Sequence, residues 1–156
     1  MRDKCILPFL ITERLEFFQL TQADLPELEI LLGDTEIMYA WEHGFTKIES
    51  QAWLNENLRR YSSDGYSYWA VRKKNDGSLI GVMGILKEVA EGKQYIGIGY
   101  ILNKKYWGQG YAGEGTEALC QYAFRKLQLQ TLTAQVRTNN FASQHIGRRT
   151  WYEGNV

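Results

Sequence analysis

The segment YWGQGYAGEG at residues 106–115 sets five glycines and alanines between a run that reads as a strand and one that reads as a helix. Glycine offers no side-chain contact, so a cluster at such a junction implies backbone N–H groups that something must approach closely. An anion is the partner that the first turn of a helix favours. Gly108, Gly110 and Gly113 also spell G-x-G-x-x-G, a pattern whose meaning its flanks decide. A P-loop would need Gly-Lys-Ser/Thr at the helix start, and the chain has GYAGEG there. A dinucleotide fold would need an acid at the end of the following strand, which instead ends QVRTNN. The reading left is a pyrophosphate held by the N–H groups of a strand-to-helix turn, with neither metal nor ribose-binding acid. Set against it is an ordinary helix start in which glycine only permits close packing.

The chain around that turn has 156 residues, enough for one domain with a real core, and residues 1–156 read as a single domain. Eighteen basic residues balance eighteen acidic ones, which leaves no general field to attract nucleic acid or an anionic membrane. The cysteines are Cys5 and Cys120 and the histidines His43 and His145, so neither a disulfide framework nor a zinc-ligand spacing is present and no metal is expected. This cysteine usage points to a reducing, cytoplasmic setting. The apolar run at residues 6–11 is short for a secretory signal and contains Pro8, and no stretch approaches the length of a membrane span.

The elements that must position the turn follow from hydrophobic period. Residues 15–20 (LEFFQL) alternate as a strand. Thr21 and Asp24 then make a capping-box pattern, with Leu25, Leu28, Leu31 and Leu32 at helical spacing until Gly33. Thr46 and Glu49 announce a second helix with Trp53, Leu54, Leu58 and Tyr61 on one side, and SSDG ends it. Between the two lies the aromatic loop YAWEHGF. Strands are predicted at residues 66–72, 79–86 and 95–102, the first two joined by an NDG hairpin turn and the last two by the polar segment KEVAEGK. Gly97 and Gly99 mark either a bulge or a place where another backbone or a ligand approaches, and either reading predicts a kink in the last of these strands. The glycine stretch opens a helix to about residue 127, residues 129–137 supply a further strand, and Asn140 and Ser143 begin a short final helix. Gly113 and Gly115 predict a loose helix start, since each costs about 1 kcal/mol against alanine inside a helix. The order β-α-α-β-β-β-α-β-α describes an α/β (α+β) domain with a mixed, mostly antiparallel twisted sheet flanked by helices.

With this order of elements the chain resembles the GNAT superfamily of acyl-CoA-dependent N-acetyltransferases, whose phosphate motif is Gln/Arg-x-x-Gly-x-Gly/Ala. Gly110 and Ala112 fill the Gly and Gly/Ala places, and Trp107 stands at the Gln/Arg place. The spelling YWGQGYA is most similar to the ribosomal-protein N-terminal acetyltransferase (RimJ/RimL-like) branch. The similarity runs from TERLEF at Thr12 through WAVRKKNDGSLIGVMG, GYILNKKYWGQGYA and ALCQYAF to NNFAS at Ser143. It implies acetyl-CoA as co-substrate and an amine acceptor, either a protein N-terminus or a small primary amine. Trp107, Gly108, Gln109, Gly110, Tyr111 and Ala112 would then hold the pyrophosphate. Tyr100, Ile101 and Leu102 would line the pantetheine wedge, with a backbone N–H facing the thioester oxygen. Asn140 would either contact the cofactor or cap the last helix, and Ser143 reads as a cap.

Such a reaction needs an uncharged amine, a base or water chain for its proton, donors for the oxyanion and an acid for the thiolate. Gly97 stands where many relatives have Glu before the cofactor strand's IGY, and Gly147 where many have Tyr on the last helix. The resemblance therefore moves the catalytic expectation to Glu42 and His43, because the loop between the first two helices borders the acceptor site in this family. An imidazole can accept an amine proton and a carboxylate can bind the ammonium first. The plainer reading of the pair is a surface or helix-end contact. A catalytically impaired acyl-CoA-binding domain fits the same two losses. The tail QHIGRRTWYEGNV departs from the family pattern at Thr150 and Trp151 and stops before the family's last strands. That predicts an open strand edge at residues 131–137, a homodimer that covers it, and weak transfer.

Overall fold

The computed structural model describes residues 7–134. Its strands are β1 (Leu10–Ile11), β2 (Leu15–Phe18), β3 (Tyr68–Lys73), β4 (Leu79–Ala90), β5 (Lys93–Leu102) and β6 (Thr133–Ala134). Helices α1 (Leu25–Gly33) and α2 (Lys47–Ser63) follow β2, and α3 (Tyr111–Arg125) follows β5. The strands form one sheet in chain order, antiparallel throughout except for the parallel pair β5 and β6. The mixed, mostly antiparallel α/β architecture expected from the sequence is the one observed.

Strand alternation sends neighbouring residues to opposite faces and so divides the core into two layers. Phe17, Val71, Met83, Ile85 and Leu102 pack with Leu119, Cys120 and Ala123 of α3. Phe18, Ala70, Val82 and Ile101 pack with Leu28, Leu31, Leu32 and Leu54 of α1 and α2. Polar anchors fix the second layer. The Thr21–Asp24 capping box precedes α1, and Asp24 also takes Arg72 at 3.0 Å, while Glu27 takes the same guanidinium at 2.7 Å. Arg72 donates further to the Gly77 carbonyl at 3.0 Å, so one cation joins the start of α1 to the β3–β4 hairpin. Removing one member of such a buried pair typically costs about 3–5 kcal/mol, because the other charge is left without its partner. In α2, Asn57 accepts from the Tyr68 N–H at 3.1 Å and from the Ser67 hydroxyl, which locks this helix to β3.

Several expectations are corrected. The segment KEVAEGK is not a loop: β4 runs to Ala90 and β5 starts at Lys93, joined by Glu91 at φ 52° and Gly92 at φ 77°. Positive φ at both turn residues gives a tight hairpin whose twist matches its strands, so the polar side chains ride on extended ladder instead. No bulge occurs at Gly97 or Gly99, since the β4–β5 register is continuous from Gly81↔Leu102 to Ala90↔Lys93. The irregularity falls between Val71 and Arg72 on β3, and Gly99 makes room for the Tyr68 hydroxyl, 2.8 Å from where a Cβ would stand. The two-residue β1 was too short to show a period. Of the strand expected at residues 129–137, Thr133 and Ala134 are described as strand; the rest of its C-terminal end and the helix expected from Asn140 lie outside the described residues.

Gly115 has a packing reason that helix propensity does not reveal. A Cβ there would stand 2.3 Å from Met83 Sδ and 3.3 Å from Phe17 Cζ, and both side chains are fully buried. The missing side chain therefore lets α3 lie directly on β2 and β4, and close packing outweighs helix propensity. Gly115→Val should cost about 1–3 kcal/mol by overpacking this contact. Thermal unfolding of the variant at neutral pH measures it, and an unchanged melting temperature would refute the contact.

Candidate active site

The glycine turn is built in short steps after β5. Asn103 accepts the Lys105 N–H at 3.1 Å, which starts a single 3-10 turn over Lys104–Tyr106. Trp107 is extended, and Gly108 at φ 75° then reverses the chain. Gly110, at φ 84°, is the N-cap of α3. Both φ values lie in the left-handed region that glycine occupies at little cost, so the two residues are demanded by geometry. Gly108, Gln109 and Gly110 are all exposed. No side chain caps this helix. By contrast, in α2 the Thr46 hydroxyl accepts from the Glu49 N–H at 3.1 Å and Glu49 accepts from the Thr46 N–H at 2.9 Å. An uncapped first turn presents amides and the positive end of the helix dipole, which is a site for an anion.

The side chains of the turn are held from three directions. Trp107 donates its indole N–H to the Leu102 carbonyl at 2.8 Å while its ring stays 45% exposed. Gln109 donates to the Lys105 carbonyl at 2.9 Å, and its own carbonyl takes Arg14 at 3.1 Å. Tyr111 is buried edge-on against Tyr106, with the Arg14 guanidinium 4.1 Å from its ring centroid. Ala112 is half-buried and accepts the Thr116 hydroxyl at 2.7 Å. Lys104 bonds Asp34 at 3.2 Å and Glu36 at 3.1 Å, which ties this turn to the segment after α1.

Tyr100, Ile101 and Leu102 form the last part of β5, opposite Met83, Val82 and Gly81. Asn103 donates to the Ile80 carbonyl at 2.8 Å, so alternation turns the Ile101 amide groups toward β4 and those of Tyr100 and Leu102 toward the other edge, where β6 pairs at Gly97 and Ile98. The side chain of Ile101 is buried in the α1–α2 layer, leaving backbone as the part of this segment that a ligand at that edge would meet.

The loop expected to carry catalysis lies between α1 and α2. Glu42 closes a 3-10 turn over Tyr39–Trp41 at φ 75°, donating its N–H to Tyr39 at 3.1 Å. His43 Nε2 lies 3.0 Å from Glu49 Oε2, and its ring packs on Phe45 at 5.8 Å. Glu49 is the acid of the α2 capping box, and its carboxyl is held below its usual range by the Thr46 N–H and then by His43. Asn140 lies outside the described residues. Among the described residues no cluster of His, Cys, Asp or Glu is arranged to hold a metal, and no helix is long and apolar enough to cross a membrane.

The family model of the acetyltransferase (GNAT) domain matches residues 14–150. The chain belongs to the GNAT acetyltransferase family. As a GNAT protein it is an acyl-CoA-dependent acetyltransferase. Its sequence is 28% identical to the Bacillus subtilis (strain 168) protein YkkB over 141 residues, covering 90% of this chain and 82% of the relative. The fold is similar to that of an acetyltransferase from Agrobacterium tumefaciens str. C58, with TM-score 0.80 and 24% identity over 96% of this chain and 86% of that one. It is also similar to RimL, a ribosomal L7/L12 α-N-protein acetyltransferase solved in complex with coenzyme A, with TM-score 0.74 and 21% identity over 93% and 82% of the two chains.

Sequence reading missed how this GNAT turn is braced. Thr12 and Arg14 lie in the TERLEF segment, yet no local pattern ties them to Glu114. In the fold, Glu114 Oε2 accepts Thr12 Oγ1 at 2.5 Å and the Arg14 N–H at 2.9 Å, while Oε1 takes Arg14 Nε at 2.7 Å. Burial alone would raise the Glu114 pKa, but the Thr12 and Arg14 bonds outweigh it and hold the carboxyl below its usual range. A depressed carboxyl contributes stability that is present above its unfolded value near 4.5 and lost as pH falls through the folded one. Melting temperature against pH should therefore fall less steeply below about pH 4.5 in Glu114→Gln than in the parent. Parallel acid limbs would show that this carboxyl is not linked to folding.

Proposed function

We propose that this acetyltransferase transfers the acetyl group of acetyl-CoA to a primary amine, a protein N-terminus or a small amine, by direct attack in a ternary complex. The uncapped, glycine-started N-terminus of α3 at the end of β5 carries this reading, since its amides suit a pyrophosphate and its place beside the β5 edge suits an extended arm. Trp107, Gly108, Gln109, Gly110, Tyr111 and Ala112 take the pyrophosphate. The backbone of Tyr100 and Leu102 at the outer edge of β5, with Asn140, serves the rest of the cofactor, while Ile101 between them turns its amide groups toward β4. In the transfer, the amine nitrogen bonds the acetyl carbon, the carbon–sulfur bond breaks, the amine loses a proton and the thiolate gains one. Glu42 and His43 are the proposed proton handlers on the acceptor side. The Glu49 carboxylate beside His43 supports this, because it would steady an imidazolium after proton uptake. The RimL neighbour supports a protein N-terminus as one acceptor class. In this reading the chain acts as one domain, supported by the single sheet shared by both core layers, and its cysteine usage supports a cytoplasmic setting.

The test is acetyl-CoA binding by thermal shift, followed by thiol release against a panel of amines and peptide N-termini. Stabilisation with thiol release supports the transferase, and stabilisation with no turnover on any amine identifies an impaired acyl-CoA binder. Gly110→Asp should abolish the thermal shift by setting a carboxylate against the pyrophosphate. Glu42→Gln and His43→Ala should keep the shift and lower turnover about 10²–10⁴-fold, the usual worth of an acid–base group. Full rate in both variants across pH would remove them from the chemistry.

We also propose a two-fold dimer, supported by the place of β6 as the outermost strand of the described sheet beside β5. Light scattering should give twice the chain mass, and a monomer at high concentration would refute it.

A further inference from the structure

Glu114 is an acid in the first turn of the helix that the proposed function assigns to a pyrophosphate, where a negative charge opposes the ligand. Its oxygens are taken from outside the helix, by Thr12, by the Arg14 N–H and by the Arg14 guanidinium. The same guanidinium reaches the turn: one terminal nitrogen donates to the Gln109 carbonyl at 3.1 Å, and the other lies 3.4 Å from where a Gly110 Cβ would stand. The Arg14 side chain remains 41% exposed, against 19% for Glu114, so the cation meets solvent beside Gly110 while its carboxylate partner is the more sheltered of the two.

We propose that Arg14 is a positioning residue for the anion turn: it cancels the charge of Glu114, ties back the Gln109 carbonyl and leaves the α3 amides facing phosphate without an opposing carboxylate. This rests on the acetyl-CoA reading above. A brace that acted by shape alone and one that acts through charge differ in sign. Loss of Glu114 loosens the turn in either case, but only in the second does it also remove the opposing charge and release Arg14 toward phosphate.

The experiment measures the acetyl-CoA dissociation constant by calorimetry, alongside melting temperature, for the full chain and for Arg14→Gln, Glu114→Gln and the double variant. Arg14→Gln should weaken binding about tenfold. Glu114→Gln should tighten it about threefold while lowering the melting temperature, and the double variant should return to within about threefold of the parent. Weaker binding in Glu114→Gln, in step with its lower melting temperature, would overturn the charge role, as would unchanged affinity in Arg14→Gln. If Arg14→Gln does not fold, the sign of the Glu114→Gln effect decides. A parent chain that binds no acetyl-CoA would sink the acetyl-CoA reading and this proposal together, whereas binding by the parent with wrong-signed variants sinks this proposal alone.

Discussion

The carboxylate of Glu114 joins parts of the chain that are 100 and 102 residues apart, and that junction braces the glycine turn at the start of α3. Thr12 and Arg14 lie at the entry to β2, and Glu114 lies one turn into α3, so their bonds fix the helix start against the first long strand of the sheet. Hydrogen bonds to a charged group are worth about 1.5–3 kcal/mol each in favourable settings. Here the lower end applies, because Arg14 is partly exposed and solvent screens the pair. That modest energy suffices, since the brace only has to orient a turn whose glycines already supply the required backbone angles.

The sheet transmits this local geometry. α3 can lie on β2 and β4 because Gly115 puts no side chain between them. On the opposite face, Arg72 and Asn57 tie α1 and α2 to β3 through bonds that would be costly to leave unmade in a buried layer. Lys104 connects the two sides, reaching from the turn to Asp34 and Glu36 beyond α1.

The two helix starts show the division between structure and function in one molecule. In α2 the capping box satisfies the terminal amides from within, and His43 adds to the acid of that box. In α3 the acid of the first turn is drawn away to β2 and the N-cap is glycine, so its amides are left to an outside partner. Capping favours stability, and leaving the amides open favours an anionic ligand. The same physical choice also explains the plainer aspect of His43, whose bond to Glu49 is a helix-end contact whether or not it handles a proton.

The glycine turn, the capping boxes and the helical leucine pattern were legible in the sequence because each is a local matter of backbone angle, cap chemistry or period. Thr46 and Glu49, or Gly108 and Gly110, need only their neighbours to act. The hairpin at Glu91 and Gly92 was hidden because polar residues on a ladder look like a loop until a partner strand supplies the bonds. The packing role of Gly115 was hidden because its reason is Met83, a residue on another element. Arg14, Thr12 and Glu114 carry no signal in spacing, since their meeting is created when β2 and α3 pack side by side. Propensity and pattern act over a few residues, whereas close packing and charge pairing act wherever the fold brings groups together. The sequence by itself thus determined that a glycine-built turn leads from β5 into α3, and only the tertiary structure decided what braces that turn.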